Sequence, residues 1–125
     1  MKSIAPKQKV RVAFFAEILQ EGHDGATRTM FQLIKRIDPN QFEFLFIYGV
    51  GPDELYGFEC FKVPAFTVPV NRNYKMAFPV LVQNSLRERL QEFDPHMVHI
   101  ATPSLLGEFG LKYANQEKLP VISIY

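Results

Sequence analysis

Three short stretches of this chain carry residue types that could do chemistry. The first is HDGATRT, His23–Thr29. It follows an apolar run, Val10–Ala16, and a polar loop, Glu17–Asp24. Gly25 then opens a helical pattern, with Ala26, Met30, Leu33, Ile34 and Ile37 recurring on one face. Strand, loop, glycine and helix in that order aim free backbone N–H groups and the positive helix end at an anion. Gly25 lets an anion approach the backbone, and Arg28, one turn further on, reaches towards the same point. The same residues also read as a capped helix start, with Asp24 as the cap and Gly25 as a packing glycine. His23, in the exposed loop, is the histidine best placed to touch a substrate.

The second stretch is Ala101–Ser104, which follows the apolar run MVHIA. Thr102 and Pro103 read as N-cap and first helical residue, a position where proline loses no hydrogen bond. The third is NRNYKMAFP, Asn71–Pro79, which mixes Arg72 and Lys75 with Tyr74, Met76 and Phe78. That composition suits contact with an anionic lipid surface or an acceptor, and equally a solvated loop anchored by its aromatics.

Several chemistries are poorly supported. GxGxxG is absent, as is the lysine of a Walker loop, which argues against a dehydrogenase of the NAD type and a P-loop enzyme. Three scattered histidines and one cysteine make no metal-ligand spacing. His99, between Val98 and Ile100, reads as a hydrogen-bonded core histidine, and His96 as solvent-facing. A phosphoacceptor receiver needs an acidic cluster after its first strand, where only Glu17 stands. Cys60 reads as a small apolar strand residue, and alone it makes no internal disulfide.

The elements that position these stretches follow from periodicity. Strands are expected at about Lys9–Ala16, Phe42–Val50, Phe58–Val63, Met97–Ala101 and Val121–Tyr125. The first helix stops at Asp38-Pro39-Asn40. Residues 64–79, with Pro64, Pro69 and Pro79, read as a long ordered loop. A helix from about Pro79 sets Val82, Leu86, Leu90 and Phe93 on one face, and another spans Ser104–Glu117. Such alternation gives an α/β fold, a Rossmann-like doubly wound parallel sheet. With strand order 3-2-1-4-5, the ligand crevice lies beyond the carboxyl ends of the strands, where the order reverses. The loop before Gly25 and the loop Ala101–Ser104 would then face one crevice.

The chain has 125 residues, 47% hydrophobic and 22% charged, which fits one domain with a real core. A net charge of +1 argues against a general nucleic-acid surface. MKSIAPKQK at the start has no apolar signal-peptide core, and no apolar run reaches the ~18 residues of a membrane span. The expected location is the cytoplasm, with peripheral membrane contact left open.

Three motifs, in order, resemble the N-terminal half of a glycosyltransferase family 4 (group 1) enzyme of the GT-B fold, in the branch of sulfoquinovosyl and mannosyl transferases. HDGATRT is similar to the N-G-V-x-R-T turn of that family at Gly25, Arg28 and Thr29, with Asp24 in place of the asparagine. Pro64, Pro69, Tyr74 and Pro79 are similar to the family's middle loop. DPHMVHIATPSLLGEFGLKYA, Asp94–Ala114, resembles D-P-D-V-V-H-x-A-T-P-x-x-L-G and its helix, and LPVISIY resembles the strand before a His-Thr motif.

The resemblance implies a retaining transferase whose N-terminal domain binds the acceptor and whose C-terminal domain binds most of a nucleotide-diphosphate sugar. It implies that Gly25, with Arg28, meets the donor diphosphate, and that His23, Asp24, Tyr74, Thr102, Pro103 and Ser104 lie on the acceptor side. The implied partners are a nucleotide sugar and a lipid or glycan acceptor, with no metal and no other cofactor. The family's histidine and donor-binding domain would follow Tyr125, so residues 1–125 are expected to form one acceptor-side domain of a truncated enzyme, inactive alone. The alternative is a non-enzymatic α/β domain that binds an anionic ligand or a partner.

Overall fold

The computed structural model describes residues 8–68 and 71–123. Among these the elements run β1 (Val10–Ile18), α1 (Gly25–Ile34), β2 (Phe42–Val50), β3 (Glu59–Lys62), β4 (Ala65–Val68), β5 (Asn71–Ala77), α2 (Gln83–Phe93), β6 (Met97–Ile100), α3 (Leu105–Glu117) and β7 (Val121–Ser123). A 3-10 turn, Pro79–Val82, leads into α2. Five strands form a parallel sheet in the order β3-β2-β1-β6-β7. This is the 3-2-1-4-5 order that the sequence implies.

β1 takes the centre because it is apolar on both faces. Ala13 and Phe15, with Leu45 and Ile47 of β2, face a core filled by Leu86 and Leu90 of α2 and Leu106 and Tyr113 of α3. Phe14 and Ala16, with Phe46 and Tyr48, face a second core under α1. Successive strand residues point to opposite faces, so one run of sequence serves both layers.

Helix α1 begins with a reciprocal cap. The Thr27 N–H donates to Asp24 Oδ1 at 2.8 Å, and the Asp24 N–H donates to Thr27 Oγ1 at 3.0 Å. That part of the sequence reading holds, and the buried face holds in part. Thr27, Phe31 and Ile34 are buried, Met30 and Ile37 are half-buried, and Leu33 is 55% exposed. The helix is turned by one position because Phe31, its largest apolar side chain, takes the seat on the sheet while the cap pins Thr27.

One connection lacks a helix, and another differs from expectation. Residues 51–58 join β2 to β3 without a helix and are closed by an antiparallel bridge between Leu55 and Phe58. Residues 65–68 and 71–77, expected in a loop, are strands: β4 and β5 pair antiparallel with a register shift at Thr67/Val68. Pro64 and Pro79 flank this pair rather than interrupt it, so they cost it no ladder hydrogen bond. Pro69 and the last two residues of the expected fifth strand lie outside the described residues. Cys60 is a half-buried residue of β3 packed on the α1-side core.

His96 is buried rather than solvent-facing. Its Nδ1 accepts from the Arg11 N–H at 2.8 Å, and its own N–H donates to the Arg11 carbonyl at 2.8 Å. The imidazole thus satisfies backbone at the amino end of β1. No described helix is long and apolar enough to cross a membrane.

The two helix faces make opposite demands on stability. Leu90→Ala, at a fully buried α2 position, is expected to destabilise the chain by about 2–5 kcal/mol. Leu33→Ala, on the open side of α1, should change stability by no more than about 0.5 kcal/mol. Urea unfolding monitored by circular dichroism checks both values.

Candidate functional site

The carboxyl ends of β1, β2, β3 and β6 gather the chemistry. Glu17 is the least expected member. The apolar run of β1 extends through it to Ile18, so the carboxyl sits in the strand and not in the loop that follows. It is 2% exposed. Oε1 accepts from the Ala77 N–H of β5 at 2.5 Å, which ties the hairpin to the central strand. Oε2 is sealed from solvent without a hydrogen bond of normal geometry. Burial pushes the Glu17 carboxyl above its ordinary value, and the Ala77 N–H and the Ser104 hydroxyl oppose that shift. The sequence did signal this group: an acidic residue inside an apolar stretch, with Ile18 and Leu19 after it.

Gly49 of β2 completes the seat of the hairpin. A Cβ there would come within 2.8 Å of Ala77 Cβ and 3.2 Å of Ala65 Cβ. Only glycine allows β4 and β5 this close to the end of β2.

Gly25 is the first residue of α1 and is exposed. Among the described residues, a Cβ added to it would meet nothing within 4 Å, so packing against them does not require a glycine. Arg28 is exposed one turn further on. Asp24 is the cap, and its carboxyl is held below the usual carboxylate range, chiefly by the Thr27 N–H. It therefore stays ionised and puts a negative charge at the helix end where the motif suggests an anion. His23 is exposed, with Nε2 3.9 Å from Asp24 Oδ2.

In the β6–α3 loop the cap is Ser104, not Thr102. Ser104 Oγ accepts from the Gly107 N–H at 3.1 Å, and α3 begins at Leu105. Pro103 precedes the helix because the hydroxyl that reaches its free N–H groups belongs to the next residue. Thr102 is half-buried and Pro103 exposed. Tyr74 lies in β5, and its side chain is outside the described residues.

Two cavities flank these residues. An apolar groove of about 300 Å³ runs along α1, with Ala26 and Met30 on one wall and Phe14, Phe44, His99 and Ala101 on the other. The amino end of α1 and the carboxyl end of β6 are therefore neighbours. His99 rests on Phe14, ring centroids 4.5 Å apart. Its Nε2 has no partner among the described residues, and burial holds its pKa low. A larger crevice of about 780 Å³ opens beyond β1–β3, walled by Gln20, Gly51, Tyr56, Lys62 and Lys75. Lys75, from the third stretch singled out in the sequence, lines it; His23, Asp24, Gly25, Arg28, Thr102, Pro103 and Ser104 do not. No group of three or more potential metal ligands exists among the described residues.

Because the folded state holds its proton on Glu17 more tightly than the unfolded chain does, this group stabilises the fold fully below its ordinary value of 4.5 and progressively less as pH rises through the raised folded value. Glu17→Gln keeps an acceptor for Ala77 and removes the titration. Urea unfolding at pH 4.5 and pH 8 should show the variant matching wild type at the lower pH and exceeding it at the higher one. Glu17→Leu, which leaves the Ala77 N–H unpaired, should cost about 1–3 kcal/mol.

No family model matches the chain, and no solved structure matches it significantly. Curated relatives do. The chain is 28% identical over 122 residues to a GDP-mannose-dependent alpha-mannosyltransferase of Corynebacterium glutamicum, covering 93% of this chain and 29% of that protein. It is 27% identical over 123 residues to proteins of the same name from Mycobacterium tuberculosis and Mycolicibacterium smegmatis, covering 93% of this chain and 32% of each. The chain thus spans about a third of the length of these relatives. With its parallel α/β sheet, the chain is similar over 93% of its length to a domain-sized share of three mannosyltransferases.

Proposed function

We propose that this chain is the acceptor-side, N-terminal domain of a retaining glycosyltransferase that moves a sugar from a nucleotide-diphosphate donor to a lipid or glycan acceptor. The carrying observation is similarity over 93% of the chain to three mannosyltransferases. On that similarity GDP-mannose is the first donor to try. A C-terminal domain supplies most of the donor site in this reading, and the cytoplasm, at the membrane surface, is the proposed place of action.

Gly25 fits the role of a backbone donor to the departing diphosphate. Its position leaves room for an outside group, and nothing among the described residues demands the glycine. Stabilising charge that develops on a leaving group is the largest help a protein can give such a transfer. Arg28 adds a positive side chain on the same helix. Ser104 and Thr102 shape the neighbouring loop, with His23 and Tyr74 on the acceptor side. No metal or other cofactor enters the proposal.

One observation favours a second reading. The ionised Asp24 carboxylate at the start of α1 competes with any phosphate for the same N–H groups. A domain that binds a partner or an uncharged ligand without catalysing transfer would carry that charge at no penalty.

The two readings separate in a transfer assay on the native-length gene product, with labelled GDP-mannose and a membrane extract as acceptor source. The transferase reading expects donor-dependent incorporation, lowered about 100-fold by Gly25→Val, with stability changed by no more than about 0.5 kcal/mol. Incorporation unaffected by Gly25→Val would remove that residue from the site. No incorporation from GDP-mannose or from a panel of other nucleotide sugars would favour the binding domain.

A further inference from the structure

The crevice beyond β1–β3 holds an aromatic residue that the chain keeps at a conformational cost. Tyr56 and Gly57 both have positive φ, 51° and 80°. They form a two-residue turn closed by the Phe58 N–H on the Leu55 carbonyl at 2.9 Å. Asparagine, aspartate and glycine are the residues such turns favour, and a bulky side chain at positive φ is strained. Strain of this kind persists where surrounding structure holds it, and it clusters at ligand sites.

Burial of the ring does not account for it. Tyr56 is 52% exposed, while Leu55 beside it is buried. The ring of Phe31 meets it at 6.4 Å and 70°, and the Lys35 ammonium lies against the phenol. α1 thus supports the ring through Phe31, and both rings line the crevice.

The charges around the crevice point to the class of ligand. Glu21 pairs with Lys35 at 2.7 Å, and Asp53 with Lys62 at 3.4 Å. Of these, Glu21 and Lys62 line the crevice, together with Glu54 and Lys75. Among the described lining residues acidic and basic groups are therefore equal in number, and neither a phosphate nor a cation finds a field in its favour there. Carboxylates accept and ammonium groups donate, which together meet hydroxyl groups that do both. An amphipathic aromatic ring beside such groups suits a ligand with an apolar face and a rim of hydroxyls.

We propose that this crevice binds an uncharged saccharide, with Tyr56 as the platform on which a pyranose ring stacks. The inference rests on the acceptor-side reading of the domain and narrows it, placing a sugar unit of the acceptor against Tyr56.

The test is an amide NMR titration of the chain with methyl α-glucopyranoside, methyl α-mannopyranoside and methyl β-galactopyranoside, and separately with inorganic phosphate. At least one glycoside should shift the Gly51, Tyr56 and Lys62 amides saturably, and phosphate should not. Tyr56→Asn suits the turn and should fold as well as wild type, yet weaken glycoside binding about tenfold. Tyr56→Phe should bind as wild type does. No glycoside shift in wild type, phosphate shifting these amides in place of the glycosides, or Tyr56→Asn binding unchanged would each overturn the inference. Set beside the transfer assay, an inactive protein with a Tyr56-dependent shift counts against the transferase reading alone, and an active one without the shift counts against the saccharide platform alone.

Discussion

A carboxyl group sits buried where a parallel sheet and an antiparallel hairpin meet, and the working end of the molecule depends on it. Glu17 accepts from the Ala77 N–H across the sequence. Without it that N–H would be buried and unpaired, at a cost comparable to a lost hydrogen bond. The hairpin held this way packs on Gly49, and Pro64, Ala65 and Lys75 become one wall of the large crevice. The same carboxyl lies near Ser104, the cap of α3. One side chain thus couples the ends of β1 and β5 and the start of α3, at the point where strand order reverses.

Much of the scaffold was legible in the sequence because it rests on period and punctuation. β2 is found at Phe42–Val50, as its aromatic and β-branched run implies. α2 buries Leu86, Leu90 and Phe93, as expected from their spacing. Asp94 ends α2 in the left-handed conformation, one residue before a proline that cannot continue it. What escaped was set by partners distant in sequence. The β4–β5 hairpin has short strands and a register shift, so it shows little alternation of its own. The face of α1 was decided by the fit of Phe31 on the sheet, and the burial of His96 by backbone groups of Arg11, far away along the chain.

The site was legible in part. The capped start of α1 and the loop after β6 were read as neighbours, and Ala26 and Ala101 do share one groove. The cap of α3 moved from Thr102 to Ser104, a one-residue difference that only hydrogen-bond geometry could decide. The large crevice was not foreseen, since its walls come from residues 51–58 and from the hairpin, where no periodic pattern exists. A groove that is almost wholly apolar and a crevice of balanced charge therefore flank α1 on either side. In the proposed transferase they offer distinct surfaces to an acceptor with apolar and hydroxylated parts, with Gly25 at the end of the helix between them.

Glu17 is sealed beneath the hairpin, and pH titration of its side-chain carboxyl carbon by NMR in the folded chain reads that burial. The midpoint is expected above the ordinary 4.5, because burial outweighs the help from Ala77 and Ser104. A midpoint at or below that value would mean that the carboxylate is solvated, and that the hairpin does not close over it.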